Sequence, residues 1–365
     1  MTNSPLAGIR VIDLTSNVAG PWAGAVLADL GADVTHVESP DGDDARGMAP
    51  VTGGGSAYFH VANRNKHGLR LDIREADGRD RLLSLIDEAD VLVTNLRPST
   101  LVRYGLDAAG LRRRHPRLIH AALSAYGRIG DEAGRAGYDG VIQARTGIMA
   151  VTGALDGPPV RAGVSILDVG AGTWLALGII SALYRREITG EGCDVATSLL
   201  ETGATWVSYH VVAQQVTGIA SSRSGSGHPA FAPYGIYATR DGAICLGIGG
   251  DGVYLRLCNA LDADRLATDP RYATNADRVA HAAELRADLE AVLASMTSRE
   301  AIDLLRGNDV PADVVALPED LLDDPQAEAL GVLADVEIDG RRVRMPGLPL
   351  TFDGARPRIE RGGPA

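Results

Sequence analysis

From Ile9 to Leu123 short apolar runs alternate with segments of helical period, and no other feature of the sequence limits the fold so strongly. Ile9–Leu14 is an apolar run of strand type, Gly20–Leu30 carries apolar residues at helical spacing, and Ala32–Val37 is apolar again before Glu38. A strand, a helix and a second strand in so short a stretch form a βαβ unit, and the crossover forces the two strands to lie parallel. The pattern continues through a strand at Gly68–Ile73, an amphipathic helix at Glu75–Ala89 and a buried strand at Val91–Thr94. Pro98–Arg114 is then expected to be helical and Leu118–Leu123 to be a further strand. The first half therefore reads as an open α/β layer of Rossmann-like character.

The texture changes at Asp139. Asp139–Val151, Val169–Arg186 and Val195–Val216 read as three long helices, and the Gly/Ser stretch 217–229 (TGIASSRSGSGHP) as a linker or glycine loop. Gly235–Thr239 and Ala243–Ile248 flank the turn residues Arg240–Asp241–Gly242 and predict a hairpin. Helices are expected at Val253–Leu261, Val279–Ala294 and Ser298–Arg306, with short strands around Asp339–Gly340. A chain of 365 residues exceeds one ordinary core. The expected division is a large Rossmann-like domain at 1–216 completed by 332–365, a small α/β domain at 230–317, and a return linker at 318–331.

A net charge of −12 argues against a nucleic-acid partner or an anionic membrane surface, both of which require a basic face. The three cysteines, Cys193, Cys245 and Cys258, are odd in number and far apart, so a reducing compartment is expected. The first ten residues lack the basic and apolar regions of a signal peptide, and Val169–Tyr184 is short for a membrane span. A cytoplasmic location follows as an expectation. The eight histidines show no ligand spacing, so no metal site is expected. The turn Val18–Gly24 lacks GxGxxG spacing, and Pro21 removes an N–H that a pyrophosphate would need, which counts against a dinucleotide. The glycines at 53–55 precede no Lys-Ser/Thr pair and are not a P-loop.

Several blocks, in order, resemble the family III CoA-transferases (the CaiB/BaiF group, which includes formyl-CoA transferase and carnitine CoA-transferase). They are PLAGIRVIDLTSNVAGPWAGAVLADLGADVTHVE at the start, SAYFHVANRNKHGLRLDI (Ser56–Ile73) and ADVLVTNLRPSTLVRYGL (Ala89–Leu106). PRLIHAALSAYG (Pro116–Gly127), GYDGVIQARTGIMAVTG (Gly137–Gly153) and DGPPVRAGVSILDVGAGTWLALGIISALYRREITGEG (Asp156–Gly192) follow. His228–Gly242 and Asp269–Val279 resemble the family's small domain.

The resemblance implies that Asp168 is the nucleophile. Its carboxylate would attack the thioester of an acyl-CoA, giving a mixed anhydride and then an aspartyl-CoA thioester from which an acceptor carboxylate takes the CoA. An ionised carboxylate needs no general base to act in this way. Backbone N–H groups at the start of the Val169 helix are expected to stabilise the oxyanion. Read without the resemblance, Asp168 is a helix N-cap.

The resemblance assigns CoA contacts to Asn95, Leu96 and Arg103, places Lys66 near the site, and makes Gly225 and Gly227 part of a mobile glycine lid. It also implies a homodimer of interlocked chains. In the racemase branch of the family a histidine stands at the position of Tyr138. A phenol with a reference pKa of about 10 shuttles protons poorly at neutral pH, which disfavours racemisation of a 2-methylacyl-CoA. The sequence departs from the family where Ser16, Ser39, Pro40 and Ala136 replace more basic residues, and where RPRIERGGPA replaces an LGEHT-like segment and helix. These departures leave a non-catalytic CoA-binding protein as a third reading.

Overall fold

The computed structural model describes residues 4–52 and 55–365, so Gly53 and Gly54 of the glycine triplet lie outside the described residues. Six strands form a parallel sheet: β1 (Arg10–Leu14), β2 (Asp33–Glu38), β3 (His67–Arg70), β4 (Val91–Thr94), β5 (Ile119–Ser124) and β6 (Asp194–Ser198). Their spatial order is β3-β2-β1-β4-β5-β6, and every neighbouring pair is parallel. Strand order reverses direction between β1 and β4, and at such a switch point the loops leaving the carboxyl ends of two neighbouring strands diverge and open a crevice.

The central strands are covered on both faces, which is why they read as unbroken apolar runs. On one face α1 (Ala19–Asp29) and the helix Ile166–Thr189 pack Leu27, Ala171, Leu175 and Ile179 against Val11, Val93 and Ile119. On the other, Leu82 and Ile86 of the helix Ala76–Asp87 close over Ile12, Leu92 and Leu118. The two long helices approach closely: a Cβ on Gly172 would stand 2.4 Å from the Ala19 carbonyl oxygen.

Several expected elements divide or change type, each for a local reason. The helix expected over Pro98–Arg114 is two, Pro98–Tyr104 and Ala108–Arg114, because Gly105 adopts φ +68° and Asp107 caps a new start through the Gly110 N–H. Asp139–Val151 likewise splits at Gly147 (φ +85°) into Asp139–Arg145 and Ile148–Val151. The helix expected over Val195–Val216 opens instead as edge strand β6. Ser198 ends it by accepting from the Glu201 N–H, and the helices Leu199–Trp206 and Ser208–Thr217 follow. The helix expected from Val169 starts earlier and runs Ile166–Thr189. It is buried on one face only; Trp174, Leu177, Tyr184 and Ile188 are exposed on the other.

Contacts divide the chain into two compact units. The first comprises Met1–Ile148, Arg161–Val216 and Leu322–Ala365. In it the C-terminal segment is tied back by Asn65, whose side chain donates to the Arg358 carbonyl and whose N–H donates to that of Arg361. A hairpin of Leu333–Ile338 and Arg341–Pro346 packs Val336 and Met345 against Ile359. The second unit comprises Met149–Val160 and Thr217–Leu321. Its three-stranded antiparallel sheet contains the expected hairpin, Tyr234–Ala238 with Ala243–Gly247, joined by Ala312–Val314. Its own core includes Tyr237, Ile244, Leu257, Leu285 and Leu305.

Candidate active site

A cleft of about 780 Å³ opens in the first unit at the switch point of the sheet. The turn after β1 contributes Ser16, Asn17 and Val18, the end of β4 contributes Asn95, Leu96 and Arg97, and the end of β5 contributes Ser124 and Ala125. Tyr138, Asp139, Arg161 and Asp168 complete the wall relevant to chemistry. From here α2 denotes Asp139–Arg145 and α3 denotes Ile166–Thr189.

Asp168 lies in the first turn of α3 rather than at its cap, so the N-cap reading is corrected. Ser165 occupies the cap position and makes no side-chain capping bond. The cap comes from Asp139, a distant residue in sequence, whose Oδ2 accepts from the Leu167 N–H at 2.8 Å and from the Asp168 N–H at 3.3 Å. Gln143, one turn further along α2, donates to Asp139 Oδ1 at 2.5 Å, and its Oε1 accepts from the Ala162 N–H at 2.9 Å. Two side chains at i, i+4 on one helix thereby fix both the start of α3 and the segment leading into it.

These bonds also correct the expected oxyanion role of the helix start. The Leu167 and Asp168 N–H groups are committed to Asp139, and the Val169 N–H to the Ser165 carbonyl. Asp139 was not singled out by the sequence. An acidic residue in a helix's first turn with Gln four residues on is a local signal, but its backbone partners lie too far along the chain for local pattern to reveal them.

The electrostatics of Asp168 follow from this packing. Burial, which penalises the charged form, and the neighbouring Asp139 carboxylate push its pKa up to about 7, while the Arg161 guanidinium pulls the other way. Tyr138 immediately precedes α2, is 69% exposed and lies on the cleft wall.

The remaining expected site residues fall in different places. Asn95 lines the cleft, but its amide is spent across the switch point: Oδ1 accepts from the Ser16 N–H at 3.2 Å, and Nδ2 donates to the Ser16 carbonyl at 2.9 Å. Leu96 lines the same cleft. Arg103 is exposed, does not line it, and lies over the Tyr104 ring at 5.5 Å.

Lys66 is corrected outright. It is fully buried below the cleft, and its ammonium donates at 2.7 Å to each of Asp13 Oδ2, the Pro21 carbonyl and Asn63 Oδ1. Three acceptors match the three donors of the charged form. His36 stands between Asp13 and Asp43 at 3.4 and 3.6 Å, and Asp43 accepts from the Asn17 N–H at 2.9 Å. Lys66 thus belongs to a buried network beneath the β1–α1 turn, whose Asn17 adopts φ +69°. Gly225 and Gly227 lie in the second unit, in a turn closed by the Gly227 N–H on the Ser224 carbonyl. Among the described residues no group of three or more His, Cys, Asp and Glu side chains is arranged to hold a metal ion.

A crevice at a Rossmann-type switch point with an elevated carboxylate on its wall narrows the choice of relatives. The sequence profile of CoA-transferase family III matches residues 6–365. The chain belongs to CoA-transferase family III. A succinate–glutarate CoA-transferase of Agrobacterium fabrum is 36% identical over 99% of the chain and 92% of the relative. An acetyl-CoA:oxalate CoA-transferase of Acetobacter aceti is 35% identical over 98% of the chain and 92% of the relative. Among solved structures, a CaiB/BaiF family protein from Brucella suis superposes with a TM-score of 0.88 at 36% identity, covering 100% of this chain and 97% of that one. The family III transferase fold, an α/β layer built on a six-stranded parallel sheet, is thereby shared.

Proposed function

We propose that this family III transferase moves CoA from an acyl-CoA donor to a free carboxylic acid through covalent intermediates on Asp168. The observation that carries the reading is the position of that carboxylate on the wall of the switch-point cleft, anchored through its own backbone N–H to Asp139. A carboxylate is a weak nucleophile. A held, oriented pair of reactants supplies an effective molarity of roughly 10⁵ M or more, which offsets that weakness.

The relay balances without an added base. Asp168 attacks the donor's thioester carbonyl, the C–S bond breaks, and a mixed anhydride forms with CoA leaving as thiolate. The thiolate attacks the aspartyl carbonyl of the anhydride, releasing the donor acid as its carboxylate and leaving an aspartyl-CoA thioester. The acceptor carboxylate attacks that thioester, forming a new anhydride and freeing the thiolate again. The thiolate then takes the acceptor acyl group, and the Asp168 carboxylate is restored. Leu96 on the cleft wall and Arg97 at its rim supply an apolar and a cationic group for the CoA moiety, while Asn95 holds the Ser16 turn of the wall and Arg103 lies outside the cleft in the helix that Arg97 caps.

Several observations support the assembly expected of this reading. Trp174, Leu177, Tyr184 and Ile188 on the exposed face of α3, with Trp206, Val212 and Val216 beyond it, present an apolar surface that a second copy would cover. We place the enzyme as a homodimer, with the chain-threading implied by the family. The three cysteines are free, in keeping with a cytoplasmic location.

The test is a transfer assay pairing a panel of acyl-CoA donors with free acids, followed as exchange of CoA between the two acyl groups. Wild type transfers, and Asp168→Ala, with its fold intact by circular dichroism, does not. Equal turnover by the two proteins would overturn the proposal.

A further inference from the structure

Resting on the transferase reading, we infer that His36 is a positioning residue: the charge of its buried imidazolium holds together the two carboxylates from which the β1–α1 turn of the cleft is hung.

The turn runs through Thr15, Ser16 and Asn17, and Ser16 and Asn17 line the cleft. Asp13 Oδ1 accepts from the N–H and the hydroxyl of Thr15, at 3.1 and 2.5 Å. Asp43 Oδ1 accepts from the Asn17 N–H at 2.9 Å and from the Ala45 N–H at 2.8 Å. Asn17 needs such a hold, because a residue other than glycine adopts φ +69° at a cost. The second oxygens of both carboxylates approach one imidazole. His36, on β2, is fully buried, with Nδ1 3.4 Å from Asp13 Oδ2 and Nε2 3.6 Å from Asp43 Oδ2.

Charge decides the state of this ring. Lys66 reaches the same cluster, 2.7 Å from Asp13 Oδ2, but one ammonium does not balance two buried carboxylates. Glu38, at the end of β2, is matched by Arg46 at 2.7 Å. The helix Ala57–Ala62 presents the uncharged Phe59 ring, 6.3 Å from His36. A neutral imidazole has one N–H and one lone pair, so between two carboxylates it would turn the lone pair on one of them. An imidazolium turns an N–H toward each and brings two carboxylates and one ammonium to neutrality. Burial favours the neutral ring, yet the Asp13 and Asp43 carboxylates outweigh it and hold the pKa above the ordinary histidine value, with Lys66 opposing. Contacts of 3.4 and 3.6 Å are longer than good hydrogen bonds, so the attraction is one of charge. When the proton leaves, that attraction leaves with it. Asp43 is no longer drawn toward Asp13, and the Asn17 turn that it holds loosens. Asp168 lines the same cleft. A displacement of about 1 Å at a reacting centre costs on the order of 100-fold in rate.

The test is the pH profile of kcat/KM for wild type, His36→Gln and His36→Lys, with one acyl-CoA and one acid that wild type uses. Wild type shows an alkaline limb above the ordinary histidine pKa of about 6.5, where the ring gives up its proton. His36→Gln lacks the charge at every pH, so its kcat/KM falls roughly 10–100-fold and the limb is gone. His36→Lys carries a cation up to about pH 10, recovers part of the loss and shows no limb below that pH. A residue that only filled space would leave the limb in place in all three. The ring itself is read by nuclear magnetic resonance on protein with isotope-labelled histidine: it keeps its proton above pH 6.5 and titrates at the pH of the limb. The inference is overturned if His36→Gln keeps the wild-type kcat/KM and limb, or if the ring is neutral where the cluster requires a cation. Should the variants fail to fold, a wild-type limb that no histidine ring tracks overturns it equally. In each of these cases transfer by wild type persists and the transferase reading stands. No transfer by wild type at any pH sinks both.

Discussion

Replacing Asp168 by Asn removes the nucleophile and should also stabilise the fold, but only at neutral and alkaline pH. The carboxyl titrates near 7 in the folded protein and near 3.8 in the unfolded chain. Between those values the folded state binds the extra proton, so stability falls as pH rises through the window, and the full cost of ionising Asp168 is present above pH 7. A shift of about three units corresponds to about 4 kcal/mol at about 1.4 kcal/mol per unit. Asp168 opens partly onto the cleft, and solvent screening there reduces the figure to about 2 kcal/mol. Asn keeps the shape and loses the charge. At pH 8 thermal unfolding of Asp168→Asn should therefore rise by roughly 3 °C over wild type. Well below pH 3.8, where the carboxyl is neutral in the folded and unfolded states alike, the gain should nearly vanish. Thermal melts of both proteins across this range provide the assay. A constant difference at all pH values, or a loss of stability at pH 8, would refute the argument that burial and Asp139 raise this carboxyl.

Other outcomes follow from the same geometry. Transfer by wild type should rise with pH along an acid limb near 7, because the ionised carboxylate is the attacking form; Asp139→Asn, which removes the neighbouring charge, should move that limb to lower pH in a kcat/KM profile. Lys66→Met leaves Asp13 buried without its cation and should cost roughly 3–5 kcal/mol in denaturant unfolding. Gly172→Ala drives a methyl group into the Ala19 carbonyl where α1 meets α3 and should cost about 1–3 kcal/mol in the same measurement. Solvent deuterium should not enter the α-position of a recovered 2-methylacyl-CoA, since the exposed phenol at Tyr138 is no proton shuttle.

The parallel sheet was legible because burial on both faces writes β1, β2, β4 and β5 as apolar runs between helical periods. The sixth strand was not. DVATS lies at the sheet edge, two of its five residues face solvent, and the apolar residues that follow merge with it into an apparent long helix. Gly105 and Gly147 break helices through left-handed backbone, a property that periodicity alone does not report. Asp168 was recognisable by resemblance to its family; its neighbour Asp139 was not, because what Asp139 does depends on backbone N–H groups of another helix. Lys66 shows the same limit in reverse. The resemblance places it near the site, yet Asp13 and Asn63 gather around it from elements that only the fold brings together.

The central claim is covalent relay through one carboxylate, and it is tested most directly by trapping. The protein is mixed with each acyl-CoA donor in turn, quenched with hydroxylamine or borohydride, and digested for peptide mass mapping. The account predicts a modified peptide containing Asp168 with the productive donor, and none from Asp168→Ala. Turnover with an unmodified Asp168, or a trapped adduct on another residue, would contradict it.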